Sequence, residues 1–219
     1  MEEIRTIRLT FVNAYLLRAG DGFILIDTGM ALHWDKLEAE LTGAGCLPDR
    51  LRLVILTHGD HDHAGNCKKL QILYGAQIAM HKADAPMVSD GLIRKRKIKS
   101  LRNKAFFILK TIFRRRFDHD KFKPDIYLGD GQNISEYGLN ATVYHLPGHT
   151  HGSIGILTEE GNFFSGDIFV NTVRPETARL IEKQYELDKS MERIKKLKIK
   201  AIYPGHGMPF AFERIINKI

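Results

Sequence analysis

The sequence predicts a layered α/β (α+β) domain in which helices cover sheets. Short β-rich runs alternate with helical patterns along all 219 residues, and the two halves repeat one rhythm of strands followed by helices. An apolar fraction of 43% with 27% charged residues belongs to a globular chain and excludes a wholly disordered or collagen-like one. The repeated rhythm favours a sandwich of two sheets.

The elements follow in order. Strands are expected at Ile4 to Thr10, Val12 to Ala19 and Gly22 to Asp27, with Ala19-Gly20-Asp21-Gly22 as the hairpin turn. A helix follows from about His33 to Ala44. The run Leu51-Arg52-Leu53-Val54-Ile55-Leu56 reads as a buried strand, a helix should begin near Asp62, and Gln77 to Met80 reads as a strand. Further strands are expected at Asp125 to Leu128, Leu139 to Leu146, Ser153 to Thr158 and Asn162 to Ser165. The chain should end in a helix over Pro175 to Lys196, a strand over Ala201 to Pro204 and a short helix near Pro209 to Asn217. One domain over 1–219 is expected, interrupted by an insert at 91–125.

That insert holds most of the charge asymmetry. The chain carries +7 with neutral histidine, yet residues 91–125 contain 13 basic and 3 acidic groups, which leaves the remainder mildly acidic. On a helical wheel over 101–117, Leu101, Ala105, Phe106, Ile108, Leu109, Ile112, Phe113 and Phe117 share one half and most of the cations the other. Such a helix suits a packed solvated face, a lid over an active-site mouth that draws anionic or acyl-bearing small molecules, or peripheral contact with an anionic membrane. Nucleic acid is disfavoured, because no aromatic stacking platform accompanies the cations. The early residues Met1-Glu2-Glu3-Ile4-Arg5 form no leader-like apolar core, and no stretch approaches the roughly 18 apolar residues of a membrane span. A cytoplasmic location is expected, with Cys46 and Cys67 as free thiols. The oligomeric state leaves no trace in the sequence.

The chemistry concentrates directly after the buried strand. Thr57-His58-Gly59-Asp60-His61-Asp62-His63-Ala64-Gly65 places five metal-competent side chains in six positions. In an extended segment His58, Asp60 and Asp62 can point together, while Asp62 and His63 at a helix start can turn toward a second centre. Crowded carboxylates and imidazoles at a strand end repel one another unless a cation compensates. Gly148-His149, Gly166-Asp167 and Gly205-His206 each close a strand-like run, the glycine permitting a sharp turn or a close approach, and with the first cluster they complete a two-metal shell. His61 is expected to face away from the first metal.

These motifs, together with Leu25-Ile26-Asp27-Thr28-Gly29, Pro147-Gly148-His149-Thr150, Ser165-Gly166-Asp167 and Pro204-Gly205-His206-Gly207, resemble those of metallo-β-lactamase-fold hydrolases over nearly the whole chain. The resemblance implies a four-layer αβ/βα sandwich with the site at one edge between the sheets. It implies His58, Asp60 and His149 on a first metal, Asp62, His63 and His206 on a second, Asp167 bridging them and Asp27 supporting the metal loop. The family pattern is His-x-His-x-Asp-His, and Asp60 departs from it. A carboxylate there makes the first site harder and more negative, so two divalent ions are expected, with zinc first and iron or manganese open. Restoring histidine at 60 should then raise zinc occupancy of the first site.

The implied function is metal-dependent hydrolysis, in which a metal-bridged hydroxide cleaves an ester, thioester, lactone or phosphodiester bond and Asp62 orients the nucleophile or passes its proton to the leaving group. The alternatives are a di-iron redox protein and a non-catalytic metal-binding or anionic-surface module on the same fold. Val170 stands where acyl-homoserine lactonases carry a tyrosine, which weighs against that substrate. Arg174 is expected to cap the helix beginning near Pro175.

Overall fold

A computed structural model describes residues 3–98 and 120–219. Strands β1 (Ile4–Leu9), β2 (Val12–Ala19) and β3 (Gly22–Ile26) form an antiparallel meander. After α1 (Trp34–Gly43) the chain returns as β4 (Leu51–Ile55), parallel to β3. Helices α2 (His61–Ala64) and α3 (Cys67–Tyr74) then lead to β5 (Gln77–Met80), parallel to β4. Helix α4 (Ala85–Ser89), the two-residue β6 (Lys97–Ile98) and β7 (Ile126–Tyr127) follow, and β7 completes a six-stranded sheet ordered β1-β2-β3-β4-β5-β7.

The second sheet begins with β8 (Ala141–His145), β9 (Ile154–Thr158) and β10 (Asn162–Asn171), all antiparallel. Short strands β11 (Glu176–Thr177) and β12 (Leu180–Ile181) precede α5 (Gln184–Ile194). The chain then forms β13 (Ala201–Gly207), parallel to β10, and β14 (Phe210–Ala211), which gives the order β14-β13-β10-β9-β8 with β11 on β10.

Side-chain alternation explains why the central runs are continuously apolar. In β2 to β4, Leu16, Leu25 and Val54 face one way while Leu17, Ile24, Ile26, Leu53 and Ile55 face the other, because both faces of this sheet are covered. The outer face meets α1 through Trp34, Leu37 and Leu41 and α3 through Cys67, Leu70 and Tyr74, at helical spacing. The inner face meets Val143, Ile154, Ile156 and Phe164 of the second sheet. That sheet's other face packs Phe163, Phe169 and Ile202 on Leu187, Met191 and Ile194 of α5. The layers run helix, sheet, sheet, helix, as the motifs imply. Cys46 and Cys67 are free and buried.

Several expectations change. The helix expected over Pro175 to Lys196 begins only at Gln184, because strand pairing takes its first part: the chain turns back so that Val170 pairs Glu176, and Leu180 and Ile181 pair the distant Ile98 and Lys97. Arg174 therefore caps no helix and pairs Glu176 at the surface. The final helix is replaced by β14 and two 3-10 turns at Phe212–Arg214 and Ile216–Lys218. The described part of the basic insert is irregular apart from β6, and the amphipathic helix expected over 101–117 lies outside the described residues. No helix among the described residues is long and apolar enough to cross a membrane.

Strand β10 carries the irregularity on which the site depends. Its pairing with β13 shifts register between Phe164 and Gly166 and again before Val170, a bulge that re-aims Asp167. Gly166 has φ +49°, and a Cβ there would stand 2.4 Å from Thr57 Oγ1. Gly166→Ala should therefore cost about 2 kcal/mol or more in denaturant unfolding of the metal-free protein. A loss below about 0.5 kcal/mol would show that the bulge does not need glycine.

Candidate metal centre

The motif side chains converge at one edge, where the ends of strands from both sheets meet. His58, Asp60, Asp62 and His63 follow β4, His149 follows β8, Asp167 lies in the β10 bulge and His206 in β13. Three donor sets lie with their ligand atoms within 4.8 Å of one another: His58, Asp60 and His149; His58, His63 and Asp167; and Asp62, His63 and His206. Asp167 stands between the outer two. Its Oδ1 lies 3.3 Å from His206 Nε2 and 3.4 Å from His63 Nε2, while Oδ2 lies 3.8 Å from His149 Nε2.

Each histidine is oriented through its other nitrogen. His63 Nδ1 donates to Asp27 Oδ2 at 2.8 Å, His149 Nδ1 to the Leu180 carbonyl at 2.7 Å and His206 Nδ1 to the Phe11 carbonyl. Thr57 Oγ1 gives its own hydrogen to Asp27 Oδ2, so it accepts from His58 Nδ1 at 3.0 Å. In all four imidazoles Nε2 is thereby the atom left to meet a proton or a metal. Asp27, at φ +58°, also accepts the Thr57 backbone N–H at 2.9 Å, which locks the ends of β3 and β4 together. Close approach at β13 needs Gly205, where a Cβ would stand 2.6 Å from both Asp167 Oδ1 and His63 Cε1.

The donor chemistry fits divalent cations. The buried Nε2 atoms of His58, His63 and His149 and Oδ1 of Asp167 complete no hydrogen bond, although each faces another donor-set atom. Buried polar atoms left so are costly without a compensating ion. Burial and the neighbouring His63 ring push the His58 imidazole down. Burial also works against a charged His63, but Asp27 and Asp167 overcome it and hold the ring well above its ordinary range. His206 is raised in the same way, burial opposing and Asp167 prevailing. Asp167 is held well below the carboxylate range because His206 and His63 outweigh its burial.

Four supporting residues escaped the sequence reading. Asp84, fully buried, accepts hydrogen bonds from the Gly59 and Gly152 N–H groups at 3.1 and 2.8 Å and from the Thr150 hydroxyl at 2.6 Å, tying the two ligand loops together. Glu182 accepts the His151 N–H at 2.9 Å and meets Arg94. Arg96, from the basic insert, grips Asp60 with both Nη atoms. That contact corrects the expectation that Asp60 leaves the first site more negative. Burial would raise the Asp60 carboxyl, but Arg96, His149 and His58 hold it well below its ordinary range. None of the four carries a spacing signal; Arg94 and Arg96 were two cations in a run of them. His61, a quarter exposed, belongs to none of the three donor sets.

A two-sheet sandwich with clustered His and Asp side chains at one edge defines the class. The chain belongs to the metallo-beta-lactamase superfamily, whose family model matches residues 7–206. It is 29% identical to the beta-lactamase-like protein 2 homolog of Drosophila melanogaster over 94% of this chain, and it spans only 61% of that relative's length. It is 24% identical to the human acyl-coenzyme A thioesterase MBLAC2 over 94% of this chain and 76% of the relative. A solved metallo-beta-lactamase family protein from Thermus thermophilus shares the fold, with a TM-score of 0.75, 22% identity, and coverage of 99% of this chain and 76% of that one.

A metal loaded on His63 would displace the proton that Asp27 and Asp167 help its ring retain. Calorimetric zinc titration of metal-free protein at pH 7, in buffers of different ionisation enthalpy, should show net release of about one proton or more, with affinity falling as pH drops. Zero release with pH-independent affinity would contradict this assignment.

Proposed function

We propose that this chain is a metal-dependent hydrolase of ester-type bonds, and that its substrates are small acyl thioesters. One observation carries the reading: the His58–Asp60–His149 and Asp62–His63–His206 sets lie on either side of Asp167, an arrangement suited to a dinuclear centre with Asp167 as the shared ligand. Bound divalent ions, zinc in the first instance, would supply a water of lowered pKa and polarise the scissile carbonyl. No side-chain nucleophile is then required.

The chain's own residues do the positioning. Nδ1 donation from the four imidazoles keeps Nε2 pointing inward, and Asp84 keeps the two ligand loops in register. Asp62 is buried, with Oδ2 3.7 Å from His206 Nε2, and in this reading its carboxylate orients the nucleophile and carries a proton to the leaving group. On the His206 side the exposed apolar side chains Phe11, Val173 and Met208 sit on three turns. The His206 contact with the Phe11 carbonyl and the Asn171–Met208 hydrogen bonds draw two of these turns to the site. Exposed apolar side chains on turns beside His206 would suit an acyl chain. The thioesterase activity named for the human relative agrees with that choice.

A metal-loaded panel of acyl-coenzyme A and acyl-glutathione thioesters, homoserine lactones, phosphodiesters and a β-lactam should give the highest kcat/KM on a thioester, abolished by chelation. No thioester turnover by protein of verified metal content would contradict the substrate class. Asp62→Asn should lower thioester kcat by about 100-fold or more. Near-unchanged kcat with metal retained would leave Asp62 a ligand only.

A further inference from the structure

Arg96 is no member of a donor set, yet it touches the centre. Its Nη1 contacts Asp60 Oδ2 and its Nη2 contacts Oδ1 at 2.6 Å. That same Oδ2 lies 3.4 Å from His58 Nε2 and 3.4 Å from His149 Nε2. The guanidinium and the first donor set therefore meet on one oxygen.

Behind this contact runs a row of alternating charge. Arg96 Nε reaches Glu182 at 3.4 Å, Glu182 lies 3.3 Å from Arg94, and Arg94 lies 3.5 Å from Asp84. Arg94 Nη2 also donates to the Ala83 carbonyl. Glu182 and Asp84 are buried, at 3% and 0% side-chain exposure, and Arg96 is only 10% exposed. Buried charges of this kind persist when each has partners, and here each has. The row also explains the placement of the insert's first residues: Arg94 and Arg96 immediately precede the segment that pairs with β12, and the Leu180 carbonyl of β12 orients His149.

We propose that Arg96 is the positioning residue that lets a carboxylate stand at the first metal site in place of an imidazole. A carboxylate offers about four lone-pair positions, so a two-pronged guanidinium leaves others for a cation. The fork fixes the Asp60 rotamer and cancels its charge. His58, Asp60 and His149, taken with Arg96, then carry the net charge of three neutral imidazoles, which offsets the anionic character an unpaired carboxylate would lend the site while leaving oxygen as its donor. Positions 60 and 96 are consequently coupled. Without Arg96, histidine at 60 would raise zinc occupancy; with Arg96 in place, Asp60→His strands a guanidinium against the cation and the sign reverses.

The inference rests on these side chains being metal ligands, and direct metal binding separates the two claims. Metal-free wild type, Arg96→Gln, Asp60→His and the double variant would be titrated with zinc and with manganese against a chelating dye. A His206→Ala background would mark which equivalent belongs to the first set, and circular dichroism would verify folding. The expected results are a tenfold or greater loss of first-set zinc affinity in Asp60→His, recovery of most of it when Arg96→Gln is added, and a tenfold or greater shift toward manganese in Arg96→Gln alone. First-set zinc binding in Asp60→His equal to or tighter than wild type, or additive effects in the double variant, would overturn the proposal while leaving the metal site standing. Failure of the wild type to bind either metal would instead overturn the metal reading itself. If Arg96→Gln does not fold, Arg96→Lys, which keeps the charge but not the fork, should weaken first-set zinc binding without shifting preference toward manganese. The comparison of Asp60→His with the double variant decides the coupling in either case.

Discussion

Four imidazoles present Nε2 to one small volume because each has surrendered Nδ1 to an acceptor fixed by the fold. Asp27 holds His63 directly and His58 through Thr57, while the Leu180 and Phe11 carbonyls hold His149 and His206. These acceptors belong to the end of β3, to β12 and to the β1–β2 turn, so the site exists only when both sheets are assembled. Tyr15 and Asn13 of β2 reinforce the join by donating to the Pro204 carbonyl, in the strand that carries His206, at 2.6 and 3.0 Å. Ligand geometry and sheet packing are therefore one constraint: loosening the inter-sheet core would splay the donor sets, and removing Asp27 would free two rings at once.

Much of this was legible in the residues. The dense His/Asp run after a buried strand, and three later glycine-preceded ligands, located every side chain of the three donor sets, because strand ends deliver such residues in short contiguous motifs. Gly166 and Gly205 show why the glycines are there, since a Cβ at either would collide with Thr57 or with the donor set. The sequence pattern favours a helix from Pro175 for a physical reason: β11 and β12 are two-residue segments, too short to leave a period, and β12 is held by the distant Lys97 and Ile98. Arg96, Glu182 and Asp84 were invisible for the same reason. Arg96 and Asp60 are 36 residues apart, and a cation within a basic run looks like any solvated surface charge.

The first arginines of the basic insert are structural charges, built into the row that runs from Asp60 to Asp84 behind the ligand loops. The other cations of the insert lie mostly outside the described residues. A carboxylate at position 60 then reads as half of a pair whose other half arrives from a distant segment.

The proposed chemistry stands or falls on whether two cations occupy the volume that the Nε2 atoms enclose. Anomalous difference maps from crystals grown with zinc, recorded above and below the zinc edge, test this most directly. One peak is expected among His58, Asp60 and His149 and a second among Asp62, His63 and His206, with Asp167 between them. An absence of anomalous density at this edge in zinc-saturated crystals, or zinc bound only elsewhere on the molecule, would contradict a dinuclear centre.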